Sequence, residues 1–276
     1  MAKPMDESHL DLNRRSWDER TPLHVASPLY DLDSFVAGRS TLHPFEPAEL
    51  GPVEGCTLLH LQCHLGTDTL SWARRGATVT GLDFSGASIE AAAKLAAQCG
   101  LEATFVEANV YDAAEVLGET YDVVYTGLGA LNWLNDIDAW ADVVAHLVAP
   151  GGRFYLLEFH PLLFVLSDDD LVLDPTFSYF HDAAGITVED PSDYADATVQ
   201  LEERRTIEWA HTIGDVVTAL IDAGLEIQML REHDVIAFEP WPFLQRVDGE
   251  AALWRSPAGK AHVPLEYSLL ATKPVR

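Results

Sequence analysis

Positive charge is what this 276-residue chain has least of. Lys and Arg number 17 against 44 Asp and Glu, a formal net charge of −27 with histidine neutral. Such a field repels phosphate backbones and anionic lipid surfaces, so nucleic acid and membrane are poor partners. Cysteine is scarce too. Cys56, Cys63 and Cys99 form neither a paired framework nor metal-ligand spacing. That excludes a disulfide scaffold, implies no metal and points to a reducing cytoplasm. No apolar run approaches the ~18 residues of a membrane span. The N-terminal stretch MAKPMDESHLDLNRRSW has no apolar segment of the secretory kind. What remains is 48% apolar and 22% charged, an ordinary globular composition.

The first 50 residues are polar, with scattered aromatics, and Pro22, Pro28, Pro44 and Pro47 cut them into short pieces that predict one or two short helices. From Cys56 the rhythm changes. Strands are predicted at Thr57 to Leu61, Ala77 to Leu82, Ala103 to Val106, Tyr121 to Tyr125 and Arg153 to Phe159. Helical spacing separates them at Thr67 to Arg75, closed by Gly76, at Ile89 to Gln98, capped by Ser85 and closed by Gly100, and at Ile137 to Leu147. This alternation predicts βαβ units and a parallel sheet. It breaks after residue 160. Between Ser167 and Glu203 stand eleven acidic residues and no Lys or Arg, which read as a solvated insertion or a cap over a site. A helix over Thr212 to Ala223, a strand over Leu225 to Glu232 and a final strand over Val263 to Thr272 complete the pattern.

Chemistry concentrates in His60-Leu61-Gln62-Cys63-His64-Leu65-Gly66-Thr67-Asp68 and in Thr80-Gly81-Leu82-Asp83-Phe84-Ser85. A strand, a tight loop and a helix start, then a second strand ending in an acid, form the nucleotide-binding half of a doubly wound sheet. The acid at the second strand's end suits two ribose hydroxyls. A dinucleotide would demand G-x-G-x-x-G so that the backbone meets a pyrophosphate. Only Gly66 is present here, so a nucleoside without phosphates fits better.

These residues resemble the class I S-adenosylmethionine-dependent methyltransferases. The motif resemblance covers residues 55 to 160, and the late helix and strands follow the same layout. Where that family has an acid, one residue, then G-x-G-x-G, this chain has His60, then Gln62, His64 and Gly66. Asp83 matches the ribose acid and Phe84 the residue beside adenine. Asn109, next to Val110, matches the adenine-amino contact. Thr126-Gly127-Leu128-Gly129 matches the loop lining the methionine end, and Pro150-Gly151-Gly152 the turn before strand five. The chain also resembles a bacterial small-molecule subgroup in Leu61-Gln62-Cys63-His64, Glu158-Phe159-His160-Pro161 and Glu208-Trp209-Ala210-His211.

The resemblance implies an α/β, Rossmann-like, seven-stranded, mostly parallel sheet with an antiparallel C-terminal strand. A lid segment spans 1–50, the S-adenosylmethionine-binding core 51–160, an acidic cap 161–210, and the rest of the same core 211–276. Cofactor contacts are expected at Gln62, Cys63, His64, Gly66, Asp83, Phe84, Asn109, Val110, Thr126 and Leu128. Cys63 reads as a packed thiol, not a nucleophile. His160 and His211 are the candidate catalytic bases, since histidine titrates near neutrality. Tyr30, Trp133 and Trp209, with Trp17, are the candidate acceptor-binding aromatics, and His24 belongs with Tyr30 as a lid candidate. The implied reaction is methyl transfer to an N or O nucleophile of a neutral or cationic small molecule. A non-catalytic S-adenosylmethionine-binding protein, a nicotinamide oxidoreductase and a protein or nucleic-acid methyltransferase are the alternatives.

Overall fold

The computed structural model describes residues 7–166, 172, 178–239, 241–247 and 253–275. Residues 1–6 of the lid segment, the insertion acids Asp168, Asp169, Asp170 and Asp174, and Pro240 lie outside the described residues.

The N-terminal segment opens with one long helix, α1 (Glu7–Ala26), followed by the short α2 (Leu32–Val36) and α3 (Glu46–Leu50). The sequence predicted only short pieces, because Pro22 interrupts the helical pattern. The helix runs through Pro22 because tertiary bonds hold it. Asn13 both donates to the Ile207 carbonyl (2.8 Å) and accepts the Ile207 N–H (2.9 Å). Thr21 Oγ1 donates to the Trp17 carbonyl in the turn before the proline (2.8 Å).

The alternating core follows: β1 (Thr57–Leu61), α4 (Thr67–Ala73), β2 (Thr78–Asp83), α5 (Gly86–Cys99), β3 (Thr104–Glu107), α6 (Ala113–Leu117), β4 (Tyr121–Thr126), α7 (Ile137–Leu147) and β5 (Val148–Phe159). Helix α5 starts where the sequence marks it: Ser85 Oγ accepts the Ser88 N–H, and Gly100 ends the helix at φ 64°. The Pro150-Gly151-Gly152 turn lies within β5, as a register break between the pairs Tyr121–Val148 and Val123–Arg153.

A hairpin, β6 (Ile186–Glu189) and β7 (Arg205–Glu208), forms part of the insertion. Then come α8 (Ile213–Asp222), β8 (Glu226–His233), the two-residue strands β9 (Gln245–Arg246) and β10 (Trp254–Arg255), and β11 (Glu266–Thr272). Helix α8 opens with a reciprocal cap between Thr212 and Asp215.

The main sheet has seven strands in the order β3-β2-β1-β4-β5-β11-β8. Strands β3 to β5 pair in parallel, and β11 runs antiparallel to both neighbours. Apolar side chains cover both faces, as a parallel sheet requires. Trp140, Val144 and Leu147 of α7 and Val216 and Leu220 of α8 pack on one face. Trp72, Leu50 and Tyr125 pack on the other. The strand order reverses between β1 and β4, and the carboxyl ends at such a switch point are where doubly wound sheets bind ligands. No helix among the described residues is long and apolar enough to cross a membrane.

Candidate functional site

The loop after β1 is built from unusual backbone. Gln62 (φ 59°), His64 (φ 48°) and Gly66 (φ 71°) all hold positive φ. Glycine adopts this region freely, while a residue with a Cβ gives up about 1–2 kcal/mol there. Gly66 has no alternative: a Cβ there would lie 2.8 Å from the Phe105 ring. Gln62 and His64 are held by their side chains instead. Gln62 Nε2 donates to the Ala130 carbonyl (2.8 Å), and its buried Oε1 has no partner. His64 Nε2 faces His24 Nδ1 at 2.8 Å, and its Nδ1 faces Ser88 Oγ at 3.1 Å. Burial, then the neighbouring His24, pulls His64 well below the usual imidazole range.

Asp83 ends β2 beside this loop. One carboxylate oxygen accepts the His64 N–H (2.8 Å) and the other the Ser85 N–H (2.9 Å). Burial raises its carboxyl to about 6 against those two donors. A carboxylate has about four lone-pair sites, so capacity for ligand hydroxyls remains. Phe84 follows, half-buried. Cys63 is buried beside it, and burial, then the Asp83 charge, pushes its thiol up, which suits packing and not attack. Asn109 Oδ1 accepts the Tyr111 N–H (3.2 Å), capping the short turn that carries the buried Val110.

The loop after β4 is organised by Glu158, which the sequence marks in the Glu158-Phe159-His160-Pro161 motif without assigning it a role. Glu158, at the end of β5, accepts the backbone N–H groups of Gly129 (2.6 Å), Ala130 (2.9 Å) and Leu131 (2.8 Å), and that of Phe159 (2.7 Å). Burial raises its carboxyl to about 7 in spite of these four donors. The signal in the sequence is that motif and an acid ending the apolar strand Phe154 to Phe159. The same loop exposes Leu128 in part, while Thr126 is fully buried with its hydroxyl unpartnered.

Beyond this loop lies a recess lined by Asn132, Glu158, Phe164, Trp209, His211 and Tyr267, among others. Asn132 ties the loop to β7 through Glu208 (3.1 Å), and its carbonyl accepts the Trp209 N–H (2.8 Å). His211 Nε2 donates to the Leu134 carbonyl (2.7 Å). Its Nδ1 is buried without a partner. Burial pulls its pKa down to about 4 in spite of the Leu134 bond. His181 stacks on it, with ring centroids 5.1 Å apart.

His160 is differently occupied. Its Nδ1 accepts the Leu162 N–H (3.1 Å), and its Nε2 pairs with Glu232 (3.0 Å). The ring thus caps the short turn at Pro161–Val165 through one nitrogen and pairs with a carboxylate through the other.

Aromatic residues of the N-terminal segment gather at the β1 loop. Trp17 of α1 meets His64 and Trp133 edge-on, at 5.0 and 5.3 Å between centroids. Tyr30 stacks on His24 and bonds Tyr194. His24, fully buried, turns its Nε2 to Asp193 (3.1 Å), which also accepts from Arg20 (2.9 Å). Trp209 is buried near Gly185 with its ring nitrogen unpartnered. Thus Tyr30 lies in the N-terminal segment and Trp133 packs against Trp17 of α1, while Trp209 lines the recess and lies 6.3 Å from the His9 ring of α1.

On the opposite face of the sheet His43 sits between two buried carboxylates, Glu46 (3.4 Å) and Glu266 (3.2 Å). Burial alone would lower its pKa, but the paired acids raise it to about 10.

Residues 59–154 match the family described as "Methyltransferase domain". The ubiquinone biosynthesis O-methyltransferase of Salmonella arizonae is 33% identical over 144 residues, 51% of this chain and 54% of that protein. A Klebsiella pneumoniae protein of the same name matches equally, at 33% over 51% of this chain and 54% of its own length. The chain thus matches about half the length of these curated relatives. Among solved structures, an S-adenosylmethionine-dependent methyltransferase from Mesorhizobium loti superposes with TM-score 0.56 at 19% identity, over 86% of this chain and all of that one. One from Methanosarcina mazei gives 0.55 at 18%, over 85% and 99%. At these identities the likeness is one of fold.

Proposed function

From a core with the class I S-adenosylmethionine-dependent methyltransferase fold, we infer that the chain transfers a methyl group to an N or O nucleophile of a small molecule. The residues at the switch point suit the cofactor. Asp83 has room for the ribose hydroxyls. Gln62 Oε1 and Thr126 Oγ1 are buried, unpartnered polar atoms at the ends of β1 and β4. Such atoms are costly unless a ligand meets them. Phe84 and Asn109 are assigned to the adenine side, with Val110 beneath them, and Leu128 to the methionine side. The backbone around Cys63 and Gly66 shapes the loop.

When bound, the cofactor supplies a methyl group activated by a positively charged sulfur. The protein's task is then to align the acceptor atom and exclude water. The observation that carries this reading is the free lone pair of His211. Its Nε2 proton is committed to Leu134, so neutral His211, which lines the recess, keeps Nδ1 as an unpartnered acceptor. A nitrogen with a pKa near 4 is a weak proton sink. We therefore assign it the orientation of an acceptor O–H or N–H, with the proton released on transfer.

The O-methyltransferases among its relatives favour a hydroxyl acceptor. The net charge of −27 favours a neutral or cationic one and disfavours nucleic acid. Three free cysteines suit a reducing, cytoplasmic setting. The test is transfer of a labelled methyl group to a panel of phenols, alcohols and amines. Label on at least one acceptor, reduced in H211A, is the expected result. Cofactor binding without transfer to any acceptor would move the reading to a binding protein.

A further inference from the structure

The loop after β1 is shaped by a contact from outside the core. His64 holds φ 48°, in the region that disfavours any residue with a Cβ. Residues held in such conformations persist where their surroundings over-determine them. Here the surroundings are specific. His64 Nδ1 meets Ser88 Oγ on α5, and its Nε2 meets His24 Nδ1 on α1 at 2.8 Å. His24 is fully buried, and its other nitrogen lies 3.1 Å from Asp193, in the segment between β6 and β7. Arg20, one turn before His24, holds the same carboxylate at 2.9 Å. At the other end of the chain of contacts, the His64 backbone N–H donates to Asp83 Oδ2 at 2.8 Å.

Helices α1 and α5 therefore meet at the His64 imidazole, with the β6–β7 segment behind His24, and the same histidine sets its backbone N–H on the carboxylate assigned to the ribose. We propose that His24, oriented by Asp193 and Arg20, is a positioning residue that holds His64 in its left-handed conformation. The nucleoside pocket is then complete only while α1 and the β6–β7 segment are docked. Lid docking and nucleoside binding become coupled, each strengthening the other. A glycine at 64 would adopt the same φ without help, so the coupling should vanish there. The ligand in this proposal rests on the S-adenosylmethionine reading; the latch itself does not.

Two measurements test it. The first is calorimetric binding of S-adenosylhomocysteine to wild type, H24A, D193N, H64G and H24A/H64G, with thermal melts showing each to be folded. H24A and D193N are expected to weaken binding about tenfold. In the H64G background, whatever its own affinity, adding H24A should change it by less than about twofold. An unchanged affinity in H24A, or the same loss in both backgrounds, would overturn the proposal. The second is amide hydrogen exchange of the ligand-free protein. His64 and Gly66, whose N–H groups bond Asp83 and the Cys63 carbonyl, should exchange faster in D193N than in wild type. Unchanged rates there contradict the latch. If wild type binds no S-adenosylhomocysteine, the cofactor reading fails, and the exchange measurement still decides the latch.

Discussion

The Nε2 of His211 lies 2.7 Å from the carbonyl oxygen of Leu134, and only a protonated nitrogen can make that bond. The Nδ1 is thereby left as a lone-pair acceptor, buried and without a protein partner. H211A is expected to lower kcat/KM by about 10²-fold, the scale of a lost orienting contact. The dissociation constant of S-adenosylhomocysteine should stay within about twofold. Steady-state kinetics with calorimetry checks the split. Equal losses in both would move His211 into cofactor binding.

His160 should behave oppositely. Its ring caps the short turn at Pro161–Val165 and pairs with Glu232. H160A is expected to cost about 0.5–2 kcal/mol of stability, as lost N-caps do, with turnover near wild type. Chemical denaturation and kinetics on one preparation measure both. A large turnover loss at unchanged stability would return His160 to the chemistry.

Glu158 predicts a pH dependence of binding. Its ionised carboxylate best accepts the three N–H groups of the β4 loop, and its pKa is about 7. Cofactor-product affinity should therefore weaken as pH falls through about 7. In E158Q the step near 7 should disappear, leaving the weakening near 6 that belongs to Asp83, at a stability cost of about 1–3 kcal/mol for donors left poorly matched. His211, neutral down to about pH 4, contributes nothing to a step near 7. Isothermal titration between pH 6 and 8 reads the difference.

His43 predicts the alkaline limit. Its folded pKa, about 10, lies above the ordinary 6.5, so the folded state binds this proton more tightly than the unfolded one. Its stabilisation is complete below 6.5 and is lost as pH rises through 10. The stability difference between wild type and H43Q should be constant below 6.5 and shrink steadily from there to pH 10. Urea midpoints across that range supply the test. A difference that does not change with pH would mean that His43 is neutral when folded.

The sheet could be read from the sequence because its signals are local. Buried strand runs, Ser85 before α5, Gly100 after it and Asp83 at a strand's end each act within a few residues. The site was less legible because its partners are distant in sequence. Nothing near His64 announces His24, and nothing near His24 announces Asp193, 169 residues later. His160 and His211 look alike in sequence, since each adjoins a helix start. They differ in the fate of the second ring nitrogen, which is a tertiary fact. The role of Glu158 was hidden for the same reason, because an acid at a strand end reads as solvent-facing until loop amides close over it. The long α1 was missed because Pro22 weighs on local propensity, while Asn13 and Ile207 pin the helix from outside.

The central claim is a nucleoside site, without a pyrophosphate cradle, at the ends of β1 and β2. Its most direct test is calorimetric titration of wild type and D83A with S-adenosylhomocysteine and with NAD. One S-adenosylhomocysteine should bind each wild-type chain, D83A should weaken it at least about tenfold, as loss of charge-assisted hydrogen bonds does, and NAD should give no heat of binding. Binding of NAD in preference to S-adenosylhomocysteine, or an affinity indifferent to D83A, would contradict the assignment.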